Sequence, residues 1–140
     1  MSRILALDHG LKRTGIAVTD PLRIIATALD TVATKECIAF LKAYLAKEQV
    51  EGFVIGLPMG LNGRPTDATA GVLAFLKTLK SAFPEQWIET MDERFTSKMA
   101  QQTLQDSGVK KMARREKGQL DRISATLILQ SWMEGGGTRV

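Results

Sequence analysis

The sequence predicts an α/β fold: a mixed five-stranded sheet, made of an antiparallel three-stranded meander and two parallel strands, flanked by about four helices. Three observations predict it. The N-terminal thirty or so residues hold short apolar runs separated only by turn-like segments. After Thr34 the hydrophobic spacing changes from strand-like to helical, and two later apolar runs are bracketed by helical segments. Runs joined by tight turns imply hairpins, whereas strands separated by helices imply parallel crossovers.

Taken in order, residues 4–7 form an apolar run of strand length that leads into Asp8, His9 and Gly10, and residues 15–19 form its hairpin partner across a basic, polar connection. A third segment, residues 24–28, follows the turn-like Asp20-Pro21. From Thr34, a candidate N-cap, Ile38, Leu41, Tyr44 and Leu45 recur at helical spacing. Residues 52–56 are short and wholly apolar, which places them at the middle of the sheet with both faces covered. Residues 58–65, with Gly60, Asn62 and Gly63, read as a loop. The helix that follows, capped near Thr66, carries Val72, Phe75, Leu76 and Leu79 on one face. Residues 87–91 read as a strand running into Asp92, Glu93 and Arg94. Thr96 is expected to cap a third helix through about Gln105, and a last helix carries Leu120, Ile123, Leu127 and Ile128 on one stripe.

A chain of 140 residues supports one hydrophobic core, so residues 1–134 are read as a single domain and residues 135–140, opening with three glycines, as a flexible tail. Hydrophobic residues at 44% and charged residues at 24% exclude a wholly disordered chain. The apolar runs, about four residues each, fall far short of the ~18 needed to span a bilayer. Cys37 is the single cysteine, so no intramolecular disulfide forms, and with no secretory-signal pattern at the N-terminus a reducing cytoplasm is the expected location.

Charge is informative by placement. Residues 1–109 hold 12 Lys/Arg and 12 Asp/Glu, while residues 110–117 hold five bases, among them Lys110, Lys111, Arg114 and Arg115, against one acid, Glu116. This short segment equals the whole net charge of +4. It reads as a surface loop suited either to a polyanion or simply to solubility.

Three acids stand where elements end. Asp8 closes an apolar strand at the sheet edge where α/β proteins bind ligands, with Gly10 and Gly15 permitting a tight turn and Lys12 and Arg13 available to phosphates. Asp92 and Glu93 end a later strand; alternation lets only one of them share a face with Asp8, and periodicity alone does not choose. Asp121 begins the last helix, on a stripe with Ser124 and Ile128. Each acid has a structural explanation of its own, as turn former, ion-pair partner or helix-dipole complement. Together they suggest carboxylates whose repulsion a hard divalent ion relieves, Mg²⁺ or Mn²⁺, as one ion or two, acting in hydrolytic phosphoryl transfer.

The blocks Asp8-x-Gly10-x-Lys12-Arg13-x-Gly15-x-Ala17, Gly56-Leu57-Pro58, Asp92-Glu93-Arg94 with Thr96, and Asp121 ahead of Ala125 resemble, in order and spacing, the signature blocks of the YqgF family. That resemblance implies an RNase H-like fold, kinship with bacterial Holliday junction resolvases, and a cytoplasmic nuclease maturing the 5′ end of precursor 16S ribosomal RNA, with junction resolution as the alternative. It implies Asp8, Glu93 and Asp121 as the metal-binding catalytic acids and Arg94 as a supporting residue. Junction resolvases of this superfamily carry a further acid near the last one; here that position holds Ser124.

The same Asp-x-Gly pattern resembles the phosphate loop of actin-like and sugar-kinase ATPases, but those close two lobes on ATP and this chain supplies one. A non-catalytic RNA-binding or ribosome-assembly module is the other rival, because phosphate contacts need only charge and geometry. Nucleic acid is the expected partner, structured RNA or branched DNA, bound by a monomer or homodimer. Asn62 and Arg64 are expected near substrate, in a loop whose free backbone N–H groups would receive a phosphate. His9, opposite in direction to Asp8, is read as structural, Cys37 as packing, Met99, Met112 and Met133 as gap-fillers, and Trp132 as core or interface.

Overall fold

The computed structural model describes residues 2–60, 62–93 and 117–140, with backbone alone for 117–122. Arg94, the helix expected over 96–105, and Lys110, Lys111, Arg114 and Arg115 lie outside the described residues, as do Met99 and Met112. The elements are β1 (Arg3–His9), β2 (Arg13–Thr19), β3 (Ala26–Ala33), a 3₁₀ turn (Thr34–Glu36), α1 (Cys37–Lys47), β4 (Val50–Leu57), α2 (Asp67–Ala82), β5 (Trp87–Asp92), α3 (Lys117–Gly135) and β6 (Thr138–Arg139). They build one sheet in the order β3-β2-β1-β4-β5-β6. The β1-β2-β3 meander is antiparallel, β1, β4 and β5 run parallel, and β6 returns antiparallel on β5.

Alternation along the strands divides the interior in two. Leu5, Leu7, Ile16, Val18, Phe53, Ile55 and Ile88 point to one face, where Cys37, Leu41, Val72, Phe75, Leu76 and Leu79 of α1 and α2 cover them. Ile4, Ala6, Ala17 and Val54 point to the other, under Ala125, Ile128 and Leu129 of α3. The first face is filled by large side chains, whereas the second mixes Ile4 and Val54 with the alanines Ala6 and Ala17. Cys37 belongs to the larger core, its thiol pushed up to about 11 by burial, in keeping with a packing role.

Four expectations change. The sheet has six strands, not five, because Thr138 and Arg139 pair with Thr90 and Glu89; two residues after a glycine run carry no periodicity that would announce a strand. The third strand starts at Ala26 rather than Ile24, because the Asp20 carboxylate accepts from the Ile24 and Ile25 amides at 2.7 and 2.8 Å and holds both residues, exposed, in an extended turn. Thr34 does not cap α1. Its hydroxyl donates to the Gly10 carbonyl at 2.6 Å and meets the Thr14 hydroxyl at 3.0 Å, while its amide donates to the Lys12 carbonyl at 2.9 Å, so it ties the β1–β2 turn to the start of the helix. Among the residues of α3 whose side chains are described, the buried stripe is Ser124, Ala125, Ile128 and Leu129, whereas Ile123 and Leu127 are half-buried, a face one residue round from the one the spacing suggests. By contrast Thr66 caps α2 as expected, accepting from the Thr69 amide while the Thr69 hydroxyl accepts from the Thr66 amide.

Candidate active site

The carboxyl ends of the parallel strands β1, β4 and β5 share one edge, and the connections leaving that edge carry most of the sequence-predicted residues. Asp8 is the penultimate residue of β1, with the parity of Ile4 and Ala6, and therefore lies on the α3 face. Its neighbour across the hairpin is Gly15. On the other side, one step beyond the Leu7–Ile55 pair, lies Gly56 of β4. No side chain flanks the Asp8 carboxyl within the sheet. Glycine inside a strand marks a place where something must approach closely, and here it does.

What approaches is Glu93. It follows Asp92, continues the ladder by donating its amide to the Leu57 carbonyl at 3.2 Å, and has the parity of Trp87 and Met91, again the α3 face. Its carboxyl lies over Gly56, where a Cβ would overlap it. Crossing β4 in this way, it reaches Asp8 and shares a hydrogen bond with it. Only 8% of Glu93 is exposed. Burial first, then the charge of Asp8 and their hydrogen bond, push its pKa far above the usual carboxylate range, so that at neutral pH the pair holds a proton between them. The choice between Asp92 and Glu93 is thereby made by register: Asp92 has the parity of Ile88, on the α1–α2 face, and is exposed.

His9, next to Asp8, points the opposite way and packs its ring on Phe75 of α2, centroids 4.6 Å apart; burial lowers its pKa, and it serves the core as expected. The turn after it is closed by Gly10 donating to the Arg13 carbonyl at 2.9 Å. A Cβ at Gly10 would meet that same oxygen, so this glycine is required by the turn. Lys12 is exposed at its tip, and Arg13, half-buried, has the parity of Gly15 and thus the Asp8 face. The loop after β4 differs from expectation. The amides of Gly60, Gly63 and Arg64 are spent inside it, on Arg64 O, Gly60 O and the Asn62 side chain, and the Thr69 hydroxyl bonds the Pro58 carbonyl. Asn62 shapes a turn that presents Arg64, and these amides are not free for a phosphate. Asp121 lies on α3 one turn before the buried Ser124 and Ala125; its side chain is outside the described residues, and Ser124 brings a hydroxyl rather than a further carboxylate.

Among the described residues no three acidic, histidine or cysteine side chains converge on a metal position. The pair that does converge consists of oxygen donors alone, crowded and nearly buried, a donor set that fits a hard divalent cation in place of the shared proton. Sequence reasoning placed Gly10 and Gly15 beside Asp8, Gly15 as a turn residue, whereas Gly15 lies inside β2 opposite Asp8. It missed Gly56 as the floor beneath the Glu93 carboxyl, for which a glycine inside an otherwise apolar strand was the available signal.

A mixed sheet with an antiparallel meander, parallel neighbours and two touching carboxyls at one edge defines an α/β domain of RNase H-like fold. The chain belongs to the RuvX family, described as Holliday junction resolvases, whose family model matches residues 2–135. It is 51% identical over 133 residues to a protein of Flavobacterium psychrophilum named "Putative pre-16S rRNA nuclease", covering 95% of this chain and 97% of that one. A protein of the same name from Bacteroides thetaiotaomicron is 48% identical over 134 residues, covering 96% and 97%. Among solved structures, Thermus thermophilus RuvC in complex with Holliday junction substrate superposes with a TM-score of 0.58 at 16% identity over the full length of both chains, a likeness of fold. Among the described residues no helix is long and apolar enough to cross a membrane.

Proposed function

We propose that this protein is a divalent-metal-dependent nuclease that trims the 5′ end of precursor 16S ribosomal RNA. The observation that carries the reading is the Glu93 carboxyl leaning over Gly56 onto that of Asp8, an arrangement of buried acids whose repulsion is relieved by a cation. The names of the close relatives supply the substrate class. Asp8, Glu93 and Asp121 would hold Mg²⁺ or Mn²⁺, which when bound supplies Lewis acidity for a phosphodiester and an activated water. The chain's own groups do the rest. The glycine-flanked floor admits a phosphate without steric conflict, Lys12 and Arg13 on the hairpin meet the backbone of the strand, and Arg64 meets it from the β4–α2 loop. Arg94 and the basic segment 110–117 extend the cationic surface in the same reading.

The deciding assay offers purified protein and Mg²⁺ or Mn²⁺ a 16S precursor fragment and a four-way DNA junction side by side, with Asp8→Asn as control. Cutting of the precursor alone, abolished by the variant, is the expected result. Cutting of the junction alone would transfer the reading to junction resolution, which the family description favours. Binding to either without metal-dependent cutting would leave a non-catalytic ribosome-assembly module. Arg64→Ala is expected to weaken RNA binding severalfold and to lower its salt dependence; an unchanged salt slope would remove Arg64 from the interface.

A further inference from the structure

A second polar cluster sits on the same face of β5, one strand-turn away from the site. Glu89, four residues before Glu93, is nearly enclosed, its side chain 12% exposed. One of its oxygens accepts from the Trp132 indole N–H at 2.9 Å and from the Gly137 amide at 3.1 Å; the other pairs with the Arg139 guanidinium at 3.2 Å. A single carboxylate therefore gathers β5, α3 and β6. Rings reinforce it: Trp132 stacks on Trp87 with centroids 5.4 Å apart, the Arg139 guanidinium lies 4.9 Å from the Trp87 centroid, and Trp87 lies over Gly52, where any Cβ would overlap its ring. Val140 donates to the Ile88 carbonyl at 2.9 Å and finishes the seam.

We infer that Glu89 is a positioning residue for the nuclease site: it fastens α3, which carries Asp121 three turns before Trp132, to β5, which carries Glu93. The inference rests on the proposed metal-dependent reading. Its physical ground is the weakness of the alternative fastening. Ile4 and Val54 share a core with Ile128 and Leu129, but the rest of the α3 side of the sheet is Ala6, Ala17 and the glycines of β4, which give a helix little to lock against, whereas the Trp–Trp–Glu cluster fixes one register. Two of the groups that meet Glu89, the Gly137 amide and the Arg139 guanidinium, lie after the end of α3, immediately before β6 and within it.

Three variants test it: Glu89→Ala removes all three partners, Arg139→Ala removes the ion pair and the guanidinium on Trp87 but leaves the bonds to Trp132 and Gly137, and Glu89→Gln keeps an oxygen for Trp132 and Gly137. Hydrogen exchange over residues 117–124, the Mg²⁺ midpoint in thermal-shift titration, and kcat and KM on the 16S precursor are measured together. Glu89→Ala is expected to speed that exchange and raise the Mg²⁺ midpoint, each about tenfold, and to lower kcat about tenfold with KM within twofold, because a misplacement of order 1 Å is costly to a metal site. Glu89→Gln should recover most of the loss, and Arg139→Ala should lose little. Exchange unchanged in Glu89→Ala overturns the clasp, whether or not the protein cuts RNA. Faster exchange with midpoint and kcat unchanged makes Glu89 merely structural and overturns its positioning role. A wild type that neither cuts nor responds to Mg²⁺ defeats the nuclease reading instead.

Discussion

The two faces of the sheet are made from the same strands yet are built for opposite ends. On the α1–α2 face, Leu5, Leu7, Phe53 and Ile55 are fully enclosed, and even His9 at the strand end is stacked on Phe75. On the α3 face the same strands offer Ala6, Ala17, Gly15, Gly52 and Gly56, and the space so left at the carboxyl edge is taken by Asp8 and Glu93. Small residues cost apolar burial, since stabilisation scales with area removed from water. The larger face supplies the stability that lets the smaller one hold two carboxyls in contact. Alternation turns one strand into two programmes, read from odd and even positions.

The contrast is broken most severely at the acids. Glu93→Gln should reduce cleavage at least about a thousandfold in a single-turnover assay while the protein stays folded, because a group that acts as one unit with its partner takes most of the rate with it. Residual cutting within tenfold of the wild type would sink the carboxylate mechanism. Phe53→Ala is the mirror experiment: urea unfolding should show a loss of about 3–5 kcal/mol, with turnover per folded molecule within twofold. Should turnover fall more than stability, the two faces are not separable in this way. Gly56→Ala comes next. Its Cβ displaces the Glu93 carboxyl, so activity should fall between about tenfold and a hundredfold, with stability changed by less than about 1.5 kcal/mol.

A smaller, graded effect follows pH. Glu93 has its pKa raised from an ordinary 4.5 to about 9, so the folded protein keeps a proton that the unfolded chain releases. Its contribution to stability is complete below pH 4.5 and is lost as pH rises toward 9. The Tm of the metal-free protein should decline across that window; Glu93→Gln, or saturating Mg²⁺, should flatten the decline. A Tm that rises with pH in the metal-free wild type would contradict the shared proton. The smallest effect is expected at His9→Phe, which keeps the ring on Phe75: cleavage within twofold and an unchanged pH profile. A large loss there would make His9 part of the chemistry and not of the core.

Much of this was legible beforehand because it depends on local pattern. The strand runs, the α2 face of Val72, Phe75, Leu76 and Leu79, and the Thr66 cap repeat at fixed spacings that any window detects. The central place of β4 followed from its unbroken apolar run. What was not legible depends on register between distant segments. Whether Asp92 or Glu93 joins Asp8 is decided by which residue of β5 stands opposite Gly52, and no local spacing encodes that. The strand at Thr138 was invisible for a similar reason: two residues are held there by Glu89, 50 positions earlier than Arg139. Thr34 looked like a helix cap from its neighbours in sequence, yet its hydroxyl went to a turn 24 residues away. The resemblance to a family supplied Glu93 before the register could.

That threonine has a mechanical consequence. Because Thr34 grips the turn from Gly10 to Arg13 through its amide and its hydroxyl at once, and Thr14 grips Thr34 in turn, the cationic hairpin beside Asp8 cannot swing without unseating the start of α1. The shape of this corner is therefore preset by the folded chain rather than assembled when something docks there.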